Sequence, residues 1–339
     1  MGETMKTVWL LLVMFVSASS AFGAEAGDKT LDVLFIEGVD AFKASEWDTA
    51  MERLNRVLAA DTGHTGALNY RARIFIVRRE FDKAMADIDR AIALEPEQYR
   101  FAYTKGLIYE HLGEAEKGIE WYTKALDLKR GFEADSLKGR IAIYMSLGDY
   151  EKARDDCNWL LKHEKTASNC LLRAEVLLKL DETEAAYWDY VSAASLEPSN
   201  MKPILGLGDF FLFHDVDLRQ AIAYYSAALE VFVCPAVVRL HRGQAYAALE
   251  PPLFATNALE DFKAYIEAEP DDPQGYFERA KLYAGLDDRE KALADIHAAI
   301  KLDPENDEYR KLLEALTAQE SATGGHEAKE PASSEEEVQ

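Results

Sequence analysis

The residues able to do chemistry in this chain are few and scattered. Its seven histidines are His64, His111, His163, His214, His241, His297 and His326. None belongs to a zinc-binding H-E-x-x-H pattern, and none stands at Cys–His ligand spacing. The chain has no G-x-S-x-G nucleophile turn, no glycine-rich phosphate loop and no calcium loop. Two acid pairs, Asp155-Asp156 and Asp287-Asp288, read as a solvated helix face and a turn rather than as a general acid with its base. The three cysteines are Cys157, Cys170 and Cys234, too few for a disulfide scaffold. Cys157 and Cys170 lie at equal distances from a turn centred near residues 163–164. In an antiparallel helix pair they would face each other, either as a disulfide or as two small apolar side chains. No residue pattern points to an enzyme, a cofactor, a metal or a small-molecule substrate.

The organisation of the chain explains this poverty. The segment FDKAMADIDRAIALEP, ending at Pro96, returns as REKALADIHAAIKLDP, ending at Pro304. Weaker copies fall between them at steps of about 34 residues. Eight units follow, at 31–64, 65–98, 99–132, 134–166, 167–200, 201–235, 236–272 and 273–306. Each reads as two amphipathic helices, with apolar residues at i, i+3, i+4 and i+7. A small residue recurs in the second helix, at Ala50, Ala84, Gly118, Ala153, Ala186, Ala221, Ala258 and Ala292. Only a small side chain lets two helices approach this closely. Aromatic and branched residues fill the remaining space, a Gly or polar residue closes the first helix, and Pro ends the second. The sixth unit carries one extra residue at 213–217 and the seventh carries three near 251–253. Both predict longer turns between the paired helices. A further amphipathic helix, 307–320, places Leu312, Leu313 and Leu316 on one face and reads as a terminal cap. The segment 321–339 lacks apolar periodicity and reads as a disordered acidic tail.

In unit length, small positions, aromatics and terminal Pro, the pattern at 31–306 resembles the tetratricopeptide repeat (TPR) family. The resemblance implies an all-α, right-handed α-solenoid of about eight stacked helix-turn-helix repeats, in which the first helix of each unit lines a groove for a protein or peptide. Carried over unit by unit, the groove positions are Asn69 and Arg73; Arg100, Tyr103, Leu107 and His111; Lys138; Leu171 and Glu175; and Leu205, Asp209, Leu212 and Phe213. One subclass of the family grips a terminal carboxylate with a set of Lys, Asn and Arg side chains. Here Asn69, Arg73 and Arg100 supply a fragment of that set, and Thr104 stands where a basic residue is expected.

Bulk charge narrows the partners. Acids outnumber bases 61 to 38, for a net charge of −23. Nucleic acid and anionic membrane surfaces both select for Lys and Arg, so neither is expected as a partner. At the N-terminus, Lys6 precedes the apolar run VWLLLVMFV at 8–16, which small residues follow. This has the form of a secretory signal, assigned to 1–24, and is too short for an ordinary membrane-spanning helix. Its style is bacterial. The expected protein is an exported, periplasmic or secreted, non-catalytic adaptor that contacts no membrane once the signal is removed. The alternatives are a binding chaperone for unfolded exported chains and an accessory subunit of an envelope enzyme or transport complex.

Overall fold

A computed structural model describes residues 31–233, 235–249 and 253–323. The expected signal segment, Cys234 and most of the acidic tail lie outside the described residues. Among those described, the regular structure is helical throughout. The chain divides between Lys165 and Thr166 into two compact units.

The first unit contains four helical hairpins. They are α1 (31–43) with α2 (Trp47–Ala60), α3 (Thr65–Val77) with α4 (Phe81–Leu94), α5 (Tyr99–Leu112) with α6 (Ala115–Lys129), and α7 (Ala134–Leu147) with α8 (Tyr150–His163). The second unit contains four more and one additional helix. These are α9 (Ala167–Lys179) with α10 (Thr183–Leu196), α11 (Met201–Phe213) with α12 (Leu218–Val231), α13 (Val237–Ala248) with α14 (Ala255–Ala268), α15 (Pro273–Gly285) with α16 (Arg289–Leu302), and finally α17 (Asp307–Thr323). The all-α class and the repeated helix-turn-helix hairpin are thus as the sequence predicts.

Helix ends follow from local chemistry. The Asp272 carboxylate accepts from the Gln274 amide at 2.8 Å, with Pro273 opening α15. The Thr166 hydroxyl accepts from the Asn169 amide, and Asp217 accepts from the amides of Arg219 and Gln220. Such caps satisfy the first amides of a helix. The turn inside most hairpins needs one left-handed residue. Gly113 and Gly148 supply it at φ 75° and 77°; Ser45, Arg79, Asp181 and Asp287 supply it at 59–62°.

Each hairpin closes on a small–large pair. The small residues of the second helices, from Ala50 to Ala292, are buried. Facing them, the first helix matches its side chain to its partner's size. Ala72 goes with Ile88 and Ala280 with Ile296, all fully buried. In the third, sixth and seventh hairpins, where the partner is aromatic, Gly stands in place of Ala: a Cβ on Gly106 would lie 2.7 Å from the Tyr122 ring, on Gly208 2.6 Å from Tyr225, and on Gly243 2.7 Å from Phe262. The fifth keeps Ala174 with Tyr190, whose ring lies against Gly206.

An ionic bridge ties the two helices of five hairpins. Arg71 meets Asp87, Arg140 meets Asp156, Arg173 meets Asp189, Arg242 meets Asp261 and Arg279 meets Asp295, each through two parallel bonds of 2.7–2.8 Å. The spacing is 16 residues in four cases and 19 in the seventh hairpin, at Arg242, where the longer turn intervenes. This fork-to-carboxylate geometry is the strongest form of the pair. The Asp261 bond holds the Arg242 guanidinium even further above neutrality than usual. Further bonds reach the preceding hairpin: Arg71 donates to Asn55 at 2.8 Å, Arg140 to Thr123 at 2.9 Å and Arg242 to Ser226 at 3.1 Å. The first hairpin reverses the charges, with Glu37 facing Arg53 at 3.1 Å. In the third, Lys105 lies 4.4 Å over the Trp121 ring.

The last helix, α17, packs on α15 and α16. Tyr309 and Leu316 are buried there, with Leu312 and Leu313 packed beside them, and the Arg289 guanidinium donates to the Leu316 carbonyl at 2.8 Å. The helix continues to Thr323, into the segment expected to be disordered from residue 321. Nothing at Ser321–Thr323 breaks a helix; Gly324 and Gly325 come next.

Cys157 and Cys170 are two buried thiols rather than a disulfide. Each sits on the buried stripe of its own helix, Cys157 with Ala153 and Leu160, Cys170 with Ala167 and Ala174.

Two predictions test this packing by urea denaturation followed with far-UV circular dichroism. Gly243→Ala crowds Phe262, and Phe262→Ile leaves a void. Each is expected to destabilise by about 1–3 kcal/mol, whereas the double variant, which copies the Ala72/Ile88 pair, loses clearly less than the sum; strict additivity refutes the size-matching account. For the bridges, Asp295→Ala should cost about 2–3 kcal/mol by stranding a half-buried guanidinium. Arg279→Met with Asp295→Leu should stay within about 1 kcal/mol of the parent; an equal loss in both variants would show that the bridge itself, and not the stranded charge, sets the cost.

Candidate partner-binding grooves

In the first unit the odd-numbered helices pack on one another, α3 on α5 and α5 on α7. With α1 they enclose a groove of about 560 Å³. Its apolar walls are Phe35, Tyr70, Tyr99 and Tyr103. Gly66 makes room for Phe35, since a Cβ there would lie 2.8 Å from that ring. Arg73 sits 4.8 Å over Phe42 and 5.8 Å over Tyr70, and Arg100 lies 5.6 Å over Tyr99. Among the described residues neither arginine meets a carboxylate. Three of the four lining acids are engaged elsewhere: Glu95 accepts from the Thr65 hydroxyl at 2.6 Å, Glu133 caps α7 through the Ser136 amide at 2.6 Å, and Asp40 pairs with Lys43 at 3.5 Å; the fourth is Asp135, whose charge acts on Tyr103. Burial, and then the charge of Asp135, push the Tyr103 hydroxyl above its ordinary range, so it remains a neutral donor. The groove thus offers flat rings and two guanidinium forks without anionic partners, a surface suited to apolar side chains beside a carboxylate.

Asn69 borders this groove, yet it is only 5% exposed. Its Oδ1 accepts from the fully buried Thr104 hydroxyl at 2.7 Å, which ties α3 to α5. The residue that replaces the expected base therefore consumes the amide oxygen beside it. Arg73 also lines a neighbouring groove of about 480 Å³ with Leu107 and His111, where His111 stacks on Phe81. Lys138 is half-buried and lines neither. Phe35, Tyr70 and Tyr99 escaped the sequence reading. Tyr70 and Tyr99 each directly neighbour a named groove position, so one further residue on the same helices would have found them.

In the second unit, Leu171 and Leu205 are half-buried and pack against the cores around Tyr190 and Phe211, respectively. Glu175 is exposed. Asp209 accepts from the Tyr225 hydroxyl at 2.6 Å and meets His241 Nδ1 at 2.9 Å. Burial, reinforced by Asp209, pushes the Tyr225 hydroxyl well above its ordinary range. Leu212 and Phe213 line a second groove, of about 720 Å³, between the C-terminal ends of α11, α13 and α15. The sixth hairpin lacks the ionic bridge seen elsewhere: Leu207 and Tyr224 take those positions, and Tyr224 stacks on Phe211 at 5.7 Å. Among the described residues, no cluster of three or more His, Cys, Asp or Glu could hold a metal ion, and no helix is long and apolar enough to cross a membrane.

The profile of the tetratricopeptide repeat family matches residues 37–93, 71–136 and 217–275, and a second profile of the same repeat matches 273–306. Together the matches cover more than half of the chain. The chain belongs to the tetratricopeptide repeat family. Among similar proteins, the DnaJ homolog subfamily C member 3 of Homo sapiens is 24% identical over 223 residues, 66% of this chain. The Hsp70-Hsp90 organizing protein of Triticum aestivum is 23% identical over 234 residues, 68% of this chain. The TPR chain spans 40% of the length of each of these relatives. In fold it is similar to a tetratricopeptide repeat protein from Parabacteroides merdae, with a TM-score of 0.57 at 18% identity, covering 75% of this chain and 98% of that one.

The hairpin turn at Val216 is the strained one. This β-branched residue is held at φ 47° and is 64% exposed, although the equivalent turns use Gly, Ser, Arg or Asp. Val216→Gly is expected to stabilise the protein by about 1 kcal/mol, read as a rise in the midpoint of urea denaturation. A lower midpoint would show that the Val216 side chain contributes more by its contacts than its backbone loses.

Proposed function

We propose that this TPR protein is an exported adaptor, without chemistry of its own, which holds a partner protein by a peptide segment in the first-unit groove. One observation carries the reading: Arg73 and Arg100 are held in place by aromatic rings and left without a carboxylate, in a chain whose net charge is −23. Their guanidinium forks keep donors that a partner carboxylate beside an apolar side chain would meet. Segment 1–24 is the export signal in this reading, which makes the protein periplasmic or secreted.

The names of two relatives, a DnaJ homolog and an Hsp70-Hsp90 organizing protein, favour a second reading as a chaperone-associated protein that receives unfolded chains. The two differ in selectivity. The adaptor holds one partner stoichiometrically; the chaperone-associated protein holds many chains weakly.

The test is purification of the full chain from its native source. One stoichiometric partner is expected, and Arg73→Ala with Tyr99→Ala should reduce its recovery about tenfold or more. A mixture of unrelated chains supports the second reading. Intact-mass measurement of the exported fraction should show a chain shortened by the signal; an unshortened chain confined to the cytoplasm overturns the export assignment.

A further inference from the structure

The second-unit groove lies where the repeat departs from its own rule. The lengthened turn at 213–217 borders it, and Phe213, Val216 and Leu249 line it. Phe213 is 54% exposed and Val216 64%. These are large apolar side chains facing solvent, one of them on strained backbone, so the groove costs stability that a bound partner would return.

Its charge is one-sided. Asp215 and Asp217 flank Val216, and Asp287 follows the lining residue Leu286. Glu278 lines the groove itself. The one cation among the lining residues, Lys281, is already paired with Glu278 at 2.9 Å. In addition, the lining residue Gln244 has a buried side-chain oxygen without a hydrogen-bond partner. An acceptor left unmet at the floor of a groove fits a ligand that brings donors.

We infer that this groove docks a basic amphipathic segment of a partner protein: apolar side chains enter between Phe213, Val216 and Leu249, and Lys or Arg groups meet the acidic rim. The first-unit groove, with its unpaired arginines, selects the opposite charge. The two sites therefore discriminate between ligands, and this inference stands without the first.

The experiment uses the full chain and synthetic peptides. A Lys/Leu peptide patterned as an amphipathic helix is compared with its Glu/Leu counterpart and with a scrambled Lys/Leu peptide, by fluorescence anisotropy at two salt concentrations. The patterned Lys/Leu peptide should bind best, and more weakly at high salt. Phe213→Ser with Leu249→Ser should weaken it about tenfold or more. Asp215→Lys with Asp287→Lys, at exposed turn positions, should weaken it about fivefold and flatten the salt dependence. Arg73→Glu with Arg100→Glu should leave it unchanged. Equal binding of the Glu/Leu or scrambled peptide overturns the inference, as does binding that survives both second-unit variants, since the net charge of the chain would then account for it. Absence of binding overturns it too. If the serine variant does not fold, the charge-reversal variant alone decides.

Discussion

Where the two helices of each hairpin meet, there is no room for more than a methyl group. Ala50, Ala84, Ala153, Ala186, Ala221, Ala258 and Ala292 are each fully buried at that contact, and Gly118 takes the same place in the third hairpin. Everything else in the architecture depends on this close approach. It brings the first helix near enough for a bidentate bridge from Arg to Asp, which a wider separation would break. It also sets how far a facing ring can intrude, so that Gly106, Gly208 and Gly243 face Tyr or Phe where Ala72 and Ala280 face Ile. Dispersion contacts are forfeited quickly by a small gap, which is why the sizes are matched in pairs.

The bridges divide the labour between stability and recognition. In five hairpins both partners are spent on each other, and Arg71, Arg140 and Arg242 spend a further donor on the preceding hairpin. These cations are structural. Arg73 and Arg100 belong to a different set: they lie over aromatic rings, and among the described residues neither meets a carboxylate. In the second unit the sixth hairpin gives up the bridge for a Leu and a stacked Tyr, and beside it lies the apolar, acid-rimmed groove. The departures from the repeat thus coincide with the candidate surfaces, as expected if packing governs the regular positions and recognition the irregular ones.

Much of the hairpin pattern was legible in the residues. The small position, the 3.6-residue stripe and the terminal Pro are local signals, and each acts within one turn of its own helix. The lengthened turns at 213–217 and near 251–253 were legible for the same reason, since a repeat reveals its own insertions. The Arg–Asp bridge was overlooked although it too repeats, at a spacing of 16; a pairing across two helices shows only when the repeats are compared column by column. Groove residues were harder. Leu171 and Leu205 have the right periodicity to face a ligand, yet both also pack against the cores of their unit, and such packing is a property of the whole unit.

By itself, then, the amino-acid order determined the helices and their pairing into hairpins, because those follow from near-neighbour sterics and from residue types. Only the tertiary structure decided which cations are free. Arg71 and Arg73 stand two residues apart on one helix, yet the first is locked to Asp87 and Asn55 while the second lies over Phe42 and Tyr70. The two differ in which face of α3 they occupy, and what lies opposite each face is set by residues from other helices.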